Sequence, residues 1–114
     1  KFCTGGGSIA ATTLKGAMAS FLDPEFLSYS LAKNAEAKAY LSGILKGKGY
    51  EPLPSATNFV LFPLRTEGKK FVEAMARQGV AIRNWEFAGQ HWCRVSLGTM
   101  TEMRVFGEAF QQVA

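Results

Sequence analysis

The stretch Trp92-Cys93-Arg94-Val95-Ser96-Leu97-Gly98-Thr99-Met100-Thr101-Glu102-Met103 decides the reading of this chain, because one arginine lies along a strand that ends at a glycine turn into a capped helix. Successive side chains of a strand point to opposite faces, so Cys93, Val95 and Leu97 fall on one side and Trp92, Arg94 and Ser96 on the other. The first set reads as core, the second as the wall of a site. An arginine presents a planar fork of donors that meets a carboxylate or phosphate at two points, so Arg94 beside an aromatic ring reads as an anion clamp. A salt bridge to a neighbouring acidic residue is the other reading, and these residues alone leave both open. Thr99 followed by Glu102 is a capping box, and the helix it starts carries Met103, Phe106, Phe110 and Val113 inward.

Upstream, the spacing predicts a strand over Val80 to Asn84, a loop over Trp85 to Gln90 and a strand over Trp92 to Leu97. Gly68 to Gln78 reads as a helix with Phe71, Val72, Met75 and Ala76 on one face, stopped by Gly79. Asn58 to Phe62 is a short continuous apolar run that suits a strand buried on both faces, with Pro63 at its end. Before it come two helices. The first runs over Ser8 to Leu22, with Ser8 as N-cap, Leu14, Met18, Phe21 and Leu22 apolar, and a stripe of small residues opposite. Asp23 caps the second and Pro24 opens it, where its missing N–H leaves nothing unsatisfied. That helix extends to about Lys46 with Leu27, Leu31, Ala35, Leu41, Ile44 and Leu45 inward, a length of about 33 Å at 1.5 Å per residue. Helix, helix, strand, helix, strand, strand, helix describes an α+β fold: two layers, a small, mostly antiparallel three-stranded sheet with helices packed on one face, preceded by a long linking helix.

The 114 residues have room for one hydrophobic core, and 47% apolar with 19% charged residues is ordinary for a globular domain. No apolar run approaches the length that spans a bilayer, so no membrane association is expected. The start, Lys1-Phe2-Cys3-Thr4-Gly5, has neither an initiator methionine nor a signal-peptide pattern, and reads as a piece of a longer chain. Cys3 and Cys93 show no disulfide or metal spacing, which points to a reduced, cytoplasmic setting. The net charge of +4 comes from scattered lysines without interleaved aromatics, so no nucleic acid is expected as a partner.

Pro54-Ser55-Ala56-Thr57-Asn58-Phe59-Val60, Gly79-Val80-Ala81-Ile82-Arg83 and the arginine stretch, in this order after a long helix and the Asp23-Pro24-Glu25-Phe26 link, resemble the C-terminal part of fold-type I pyridoxal-phosphate aminotransferases. Within that superfamily the chain looks most like histidinol-phosphate aminotransferase. The resemblance implies a remnant large-domain helix over 1–22, an interdomain helix over 23–49 and a small α+β domain over 50–114. It places Arg94 at the arginine that binds the substrate's anionic end, Arg83 near the substrate's distal group, and Asn58 at the start of the first small-domain strand. For Arg83 a surface ion pair is the plain alternative, and Asn58 reads first as a residue bonding to nearby backbone. The family's cofactor-binding lysine lies in a large-domain motif that this sequence does not contain, and Lys1 has no matching context. Hence no catalytic residue is assigned, pyridoxal phosphate is expected in the intact parent rather than tightly bound to this chain, and the isolated chain is expected to be inactive. The implied partners are the missing large domain, an amino-acid or amino-phosphate substrate and a second copy in a homo-oligomer, in amino-acid biosynthesis. A stand-alone α+β ligand-binding or dimerisation module derived from that domain is the alternative.

Other features read more plainly. Gly5-Gly6-Gly7-Ser8 lacks the ending of a P-loop and reads as a flexible lead-in. His91 and Cys93 share a strand face, but without a third orienting group they do not make a nucleophile or zinc site. Trp85 and Phe87 are expected in a loop, as rim of a substrate site or partial cover of the core.

Overall fold

Asp23 begins the longest element, and the reason is local: its Oδ1 accepts the Phe26 N–H at 2.8 Å, capping helix α2, Pro24–Gly47. In the computed structural model, which describes residues 9–114, the remaining elements are α1 (Ala11–Phe21), β1 (Phe59–Pro63), α3 (Gly68–Arg77), β2 (Arg83–Phe87), β3 (Gln90–Ser96) and α4 (Met100–Val113). The chain divides into two compact units, one reaching to Ala32 and the other Lys33–Ala114. Ser8, Lys1, Cys3 and the Gly5-Gly6-Gly7 run lie outside the described residues.

The second unit is the α+β body. Its sheet has the order β1-β3-β2, antiparallel throughout, with Val60 opposite Val95 and Phe62 opposite Cys93. These four side chains share one face and are buried with Leu41 and Leu45 of α2, Phe71 and Met75 of α3, and Phe106 and Phe110 of α4. The helices therefore cover one face of the sheet. Phe62 meets Phe110 edge to face at 6.0 Å, and Tyr50 joins both rings at 5.4 Å. Gly107 of α4 faces the side chains of α2, where a Cβ would stand 2.7 Å from Ile44 Cδ1.

Helix ends are built by glycine. Gly49, at φ +75, and Gly79, at φ +80, each follow a helix whose last turn is closed by two backbone bonds: Tyr50 N–H to Leu45 O and Gly49 N–H to Lys46 O; Val80 N–H to Met75 O and Gly79 N–H to Ala76 O. The next residue, Tyr50 or Val80, then turns back onto the core.

Several expectations need correction. The second strand is Arg83–Phe87 rather than Val80 to Asn84, and the supposed loop from Trp85 to Gln90 is mostly strand. The physical reason is a two-residue hairpin turn, Ala88-Gly89, with both residues at positive φ (53 and 70), the mirror-image turn that matches strand twist. Ala88 hides it, since asparagine or glycine normally signals that position. β3 starts at Gln90, not Trp92, and ends at Ser96, not Leu97, although Leu97 N–H still donates to Asn58 O at 2.8 Å. β1 is not buried on both faces: Val60 and Phe62 are buried while Phe59, Leu61 and Pro63 are half-exposed, because helices cover only one side. In α2 the fully buried residues are Ala37, Leu41 and Leu45, whereas Leu27, Leu31 and Ala35 are exposed; apolar spacing marks a helix face without saying whether anything packs on it. α1 runs Ala11–Phe21 after Ala10, and none of its residues is buried. Among the described residues no helix is long and apolar enough to cross a membrane.

Replacing Ala88 with glycine should stabilise the chain by about 0.5–1 kcal/mol, since relief of the left-handed alanine exceeds the added freedom of the unfolded glycine. Urea denaturation of the two proteins measures this directly; an Ala88→Gly midpoint at or below the parent's contradicts the turn as described.

Candidate anion-binding site

Arg94 leaves β3 on the face opposite the core. Its neighbours Cys93 and Val95 are buried, and alternation then sends Arg94 outward with Trp92 and Ser96. Cross-strand register sets Leu61 of β1 on one side of it and Arg83 of β2 on the other. The guanidinium stacks over the Phe59 ring, 5.2 Å from its centroid, and is half-buried there. Its Nε–H is buried without an acceptor, and neither Arg94 nor Arg83 enters an ion pair among the described residues. Register thus sets two arginines at directly opposed positions of a strand pair.

Both arginines open onto a cavity of about 580 Å³. It exists because the β2–β3 ladder ends at Arg83 and Arg94, after which residues 79–82 and 95–98 form separate walls. Thr101, Glu102, Met103, Val105 and Phe106 of α4 close it, with Ile82 and Leu97 adding apolar surface. At its edge the capping box is complete. Thr99 Oγ1 accepts the Glu102 N–H at 3.3 Å, and Glu102 Oε2 accepts the Thr99 N–H at 2.7 Å. A Cβ at Gly98 would collide with that carboxylate, so glycine is what lets Glu102 fold back. The bonds from the Thr99 backbone N–H and hydroxyl hold the Glu102 carboxyl below the usual carboxylate range.

Of the candidate residues, Arg83 and Arg94 are brought together, while Asn58 does not line the cavity. Asn58 contributes through its backbone carbonyl, which ties Leu97 and hence the end of β3 to the approach of β1. Trp85 and Phe87 lie on β2, on the same face as Arg94: Trp85 is opposite Trp92, and the Phe87 ring stacks on Trp92 at 5.0 Å. Phe59, the platform under Arg94, was not anticipated from sequence; only the strand register places it there. His91 Nδ1 lies 3.9 Å from Glu86 Oε2, whereas burial pushes the Cys93 thiol up to about 12 and keeps it protonated. Among the described residues no cluster of three potential metal ligands occurs.

No family model matches the chain. The histidinol-phosphate aminotransferase of Desulfotalea psychrophila is 36% identical over 95 residues, covering 82% of this chain and 25% of that protein. A solved structure from Erwinia carotovora atroseptica, of a protein proposed to be a histidinol-phosphate aminotransferase, superposes with a TM-score of 0.85 at 31% identity, over 96% of this chain and 32% of its own. The histidinol-phosphate aminotransferase from Sinorhizobium meliloti, solved in complex with pyridoxal-5'-phosphate, superposes at 0.68 with 26% identity, over 86% of this chain and 29% of its own. The chain is a homologue of histidinol-phosphate aminotransferases. Its sequence and fold are similar to those of part of these enzymes, and it spans about a quarter of the length of the curated relatives it matches.

Pyridoxal phosphate requires an amine for its carbonyl, and among the described residues no lysine lines the cavity that Arg94 shares. The described residues around Arg94 do not by themselves fit the cofactor.

The lowered carboxyl of Glu102 has a pH consequence. Its carboxylate contributes stability that is complete above the unfolded value of about 4.3 and is lost as pH falls through the lower folded value. Chemical denaturation of the parent and Glu102→Gln should show the parent more stable at pH 7, with the gap closing as the solution is acidified below pH 4.3. A gap independent of pH contradicts the capping carboxylate.

Proposed function

We propose that this chain is the small-domain part of a pyridoxal-phosphate-dependent aminotransferase of the histidinol-phosphate type, and that Arg94 binds the anionic end of the substrate. The observation that carries this reading is Arg94 itself: half-buried, oriented by Phe59, with an unsatisfied buried Nε–H and no acidic partner among the described residues. A guanidinium held this way loses little freedom when it takes a carboxylate at two points, and partial exclusion of water strengthens the pair. Fixing the carboxylate fixes the rotation of the substrate about its α-carbon, which is the positioning an amino transfer needs.

Arg83, opposite, supplies a second positive charge for a distal anionic group, and Asn58 serves the site by holding the end of β3. Pyridoxal phosphate, when bound in the intact enzyme, supplies an electrophilic carbonyl and an electron sink. The lysine and the cofactor's pocket come from the remainder of that enzyme. The exposed apolar residues of α1 and the start of α2, with Phe21 at 90% and Leu22 at 76%, support a cover provided by that remainder.

A chimera in which this chain replaces the matching quarter of the Desulfotalea psychrophila enzyme should transaminate. Within it, Arg94→Ala should raise KM for the amino-acid substrate by about 10- to 100-fold, as expected for losing a charge-assisted pair, and leave the cofactor absorbance unchanged. Arg94→Lys should recover only part. An unchanged KM in Arg94→Ala ends the assignment. The chain alone, given pyridoxal phosphate and an L-amino-acid donor, should show no spectral conversion of the cofactor; conversion would overturn the division of labour.

A further inference from the structure

On the open face of the sheet, β3 presents Trp92, Arg94 and Ser96 in turn. Toward β2, Trp92 is flanked by Trp85 and Arg94 by Arg83, but the pairing ends there and Ser96 has no strand neighbour on that side. The cavity opens at this gap, and Ser96 lines it together with Arg94. Ser96 is exposed, and neither its hydroxyl nor its N–H has a hydrogen-bond partner among the described residues.

The phase of the ladder accounts for the free N–H. Leu97 N–H donates to Asn58 O and Leu64 N–H donates to His91 O, both at 2.8 Å, so odd-numbered residues of β3 bond toward β1 and even-numbered ones toward β2. Ser96 therefore turns its N–H to the cavity side.

Arg94 reaches toward the same place. Its guanidinium lies over the Phe59 ring, 5.2 Å from the centroid, and Phe59 is the residue directly opposite Ser96 in the register of β1 with β3. That pair is of the kind without mutual backbone bonds, in which facing side chains stand closest. The guanidinium is thus drawn along the strand from its own row into that of Ser96, and one ring adjoins both groups. Glu102, the acid that shares the cavity, does not intervene. Its Oε2 accepts the Thr99 N–H at 2.7 Å and the Thr99 hydroxyl at 2.9 Å, and among the described residues it makes no ion pair with Arg94.

We propose that Ser96 is a further binding residue of this site, its hydroxyl donating to the anionic group that Arg94 holds. The proposal rests on the reading of Arg94 as an anion-binding residue. A carboxylate has more acceptor positions than one guanidinium fills, so a two-point pair with Arg94 leaves lone pairs for a donor in the neighbouring row. Arg94 supplies the charge. Ser96 then fixes how the carboxylate plane is turned, and with it the direction of the bond to the substrate's α-carbon.

Titration of the chain with acetate, against chloride at constant ionic strength, tests this through the Arg94 Nε–H and Ser96 amide resonances. Both should shift saturably and together. Ser96→Ala should raise the dissociation constant about tenfold, as expected for losing a hydrogen bond to a charged group, and Ser96→Thr, which keeps the hydroxyl, should stay within about twofold of the parent. The Leu97 amide, bonded to Asn58, reports an intact strand end and should hold its position in every variant. Equal affinity in the parent and Ser96→Ala, with binding lost in Arg94→Gln, overturns the role of Ser96 and spares that of Arg94. Ser96→Thr as weak as Ser96→Ala overturns the hydroxyl as donor. No saturable shift at Arg94 in the parent overturns both readings.

Discussion

The two-residue period of β3 is the constraint on which the rest depends. This strand is central, paired on both sides, and its Cys93 and Val95 are 0% and 3% exposed in a core shared by three helices. A slip of one residue would carry Arg94 into that core and the two apolar side chains out to the open face. Burying an unpaired guanidinium among Phe62, Phe71 and Phe110 is far more costly than any gain on the other side. The side of the sheet on which the arginine emerges is therefore fixed by hydrophobic packing, before any ligand enters the account. Its platform and its opposing charge follow from the same register, through Phe59 and Arg83.

Turns then determine where the open face ends. Gly79 closes α3 and delivers Val80 and Ile82 to the core, forming one wall of the cavity. Gly98 admits the Glu102 carboxylate, which completes the N-terminal cap of α4 and forms another. Both glycines lie where a side chain would cost structure: a positive φ in the first case, a collision in the second. Cap and cavity share residues, so the local stability of α4 and the shape of the site are coupled through Glu102.

Most of the element order was legible because its signals are strong and local: Asp23-Pro24 at a helix start, Gly79 at a helix end, Thr99 with Glu102 as a capping box. The strand pair was legible only in part. Val80-Ala81-Ile82-Arg83 has strand composition, yet pairing begins at Arg83, and the hairpin turn is carried by Ala88, a residue that propensity places almost anywhere else. Composition reports what a segment prefers, while the ladder depends on where two segments meet. The outward placement of Arg94 was readable from alternation alone; the Phe59 platform and the direct opposition of Arg83 were not, because both are properties of register between distant segments. The same limit applies to α2, where the apolar spacing is continuous but only its later turns are buried.

Among the described residues the contacts that orient Arg94 belong to Lys33–Ala114: the buried residues on either side of it, the Phe59 ring, the bond from Leu97 to Asn58, and the strand that brings Arg83 opposite. The placement of Arg94 is accordingly set by one compact unit with its own aromatic core. α1 stands in contrast, a helix without a single buried residue. A fold that fixes the arginine within one self-contained core leaves its placement independent of changes elsewhere, since these leave the phase of β3 untouched. That separation is physical: core packing sets the arginine, and the arginine's unsatisfied charge is what remains available for chemistry.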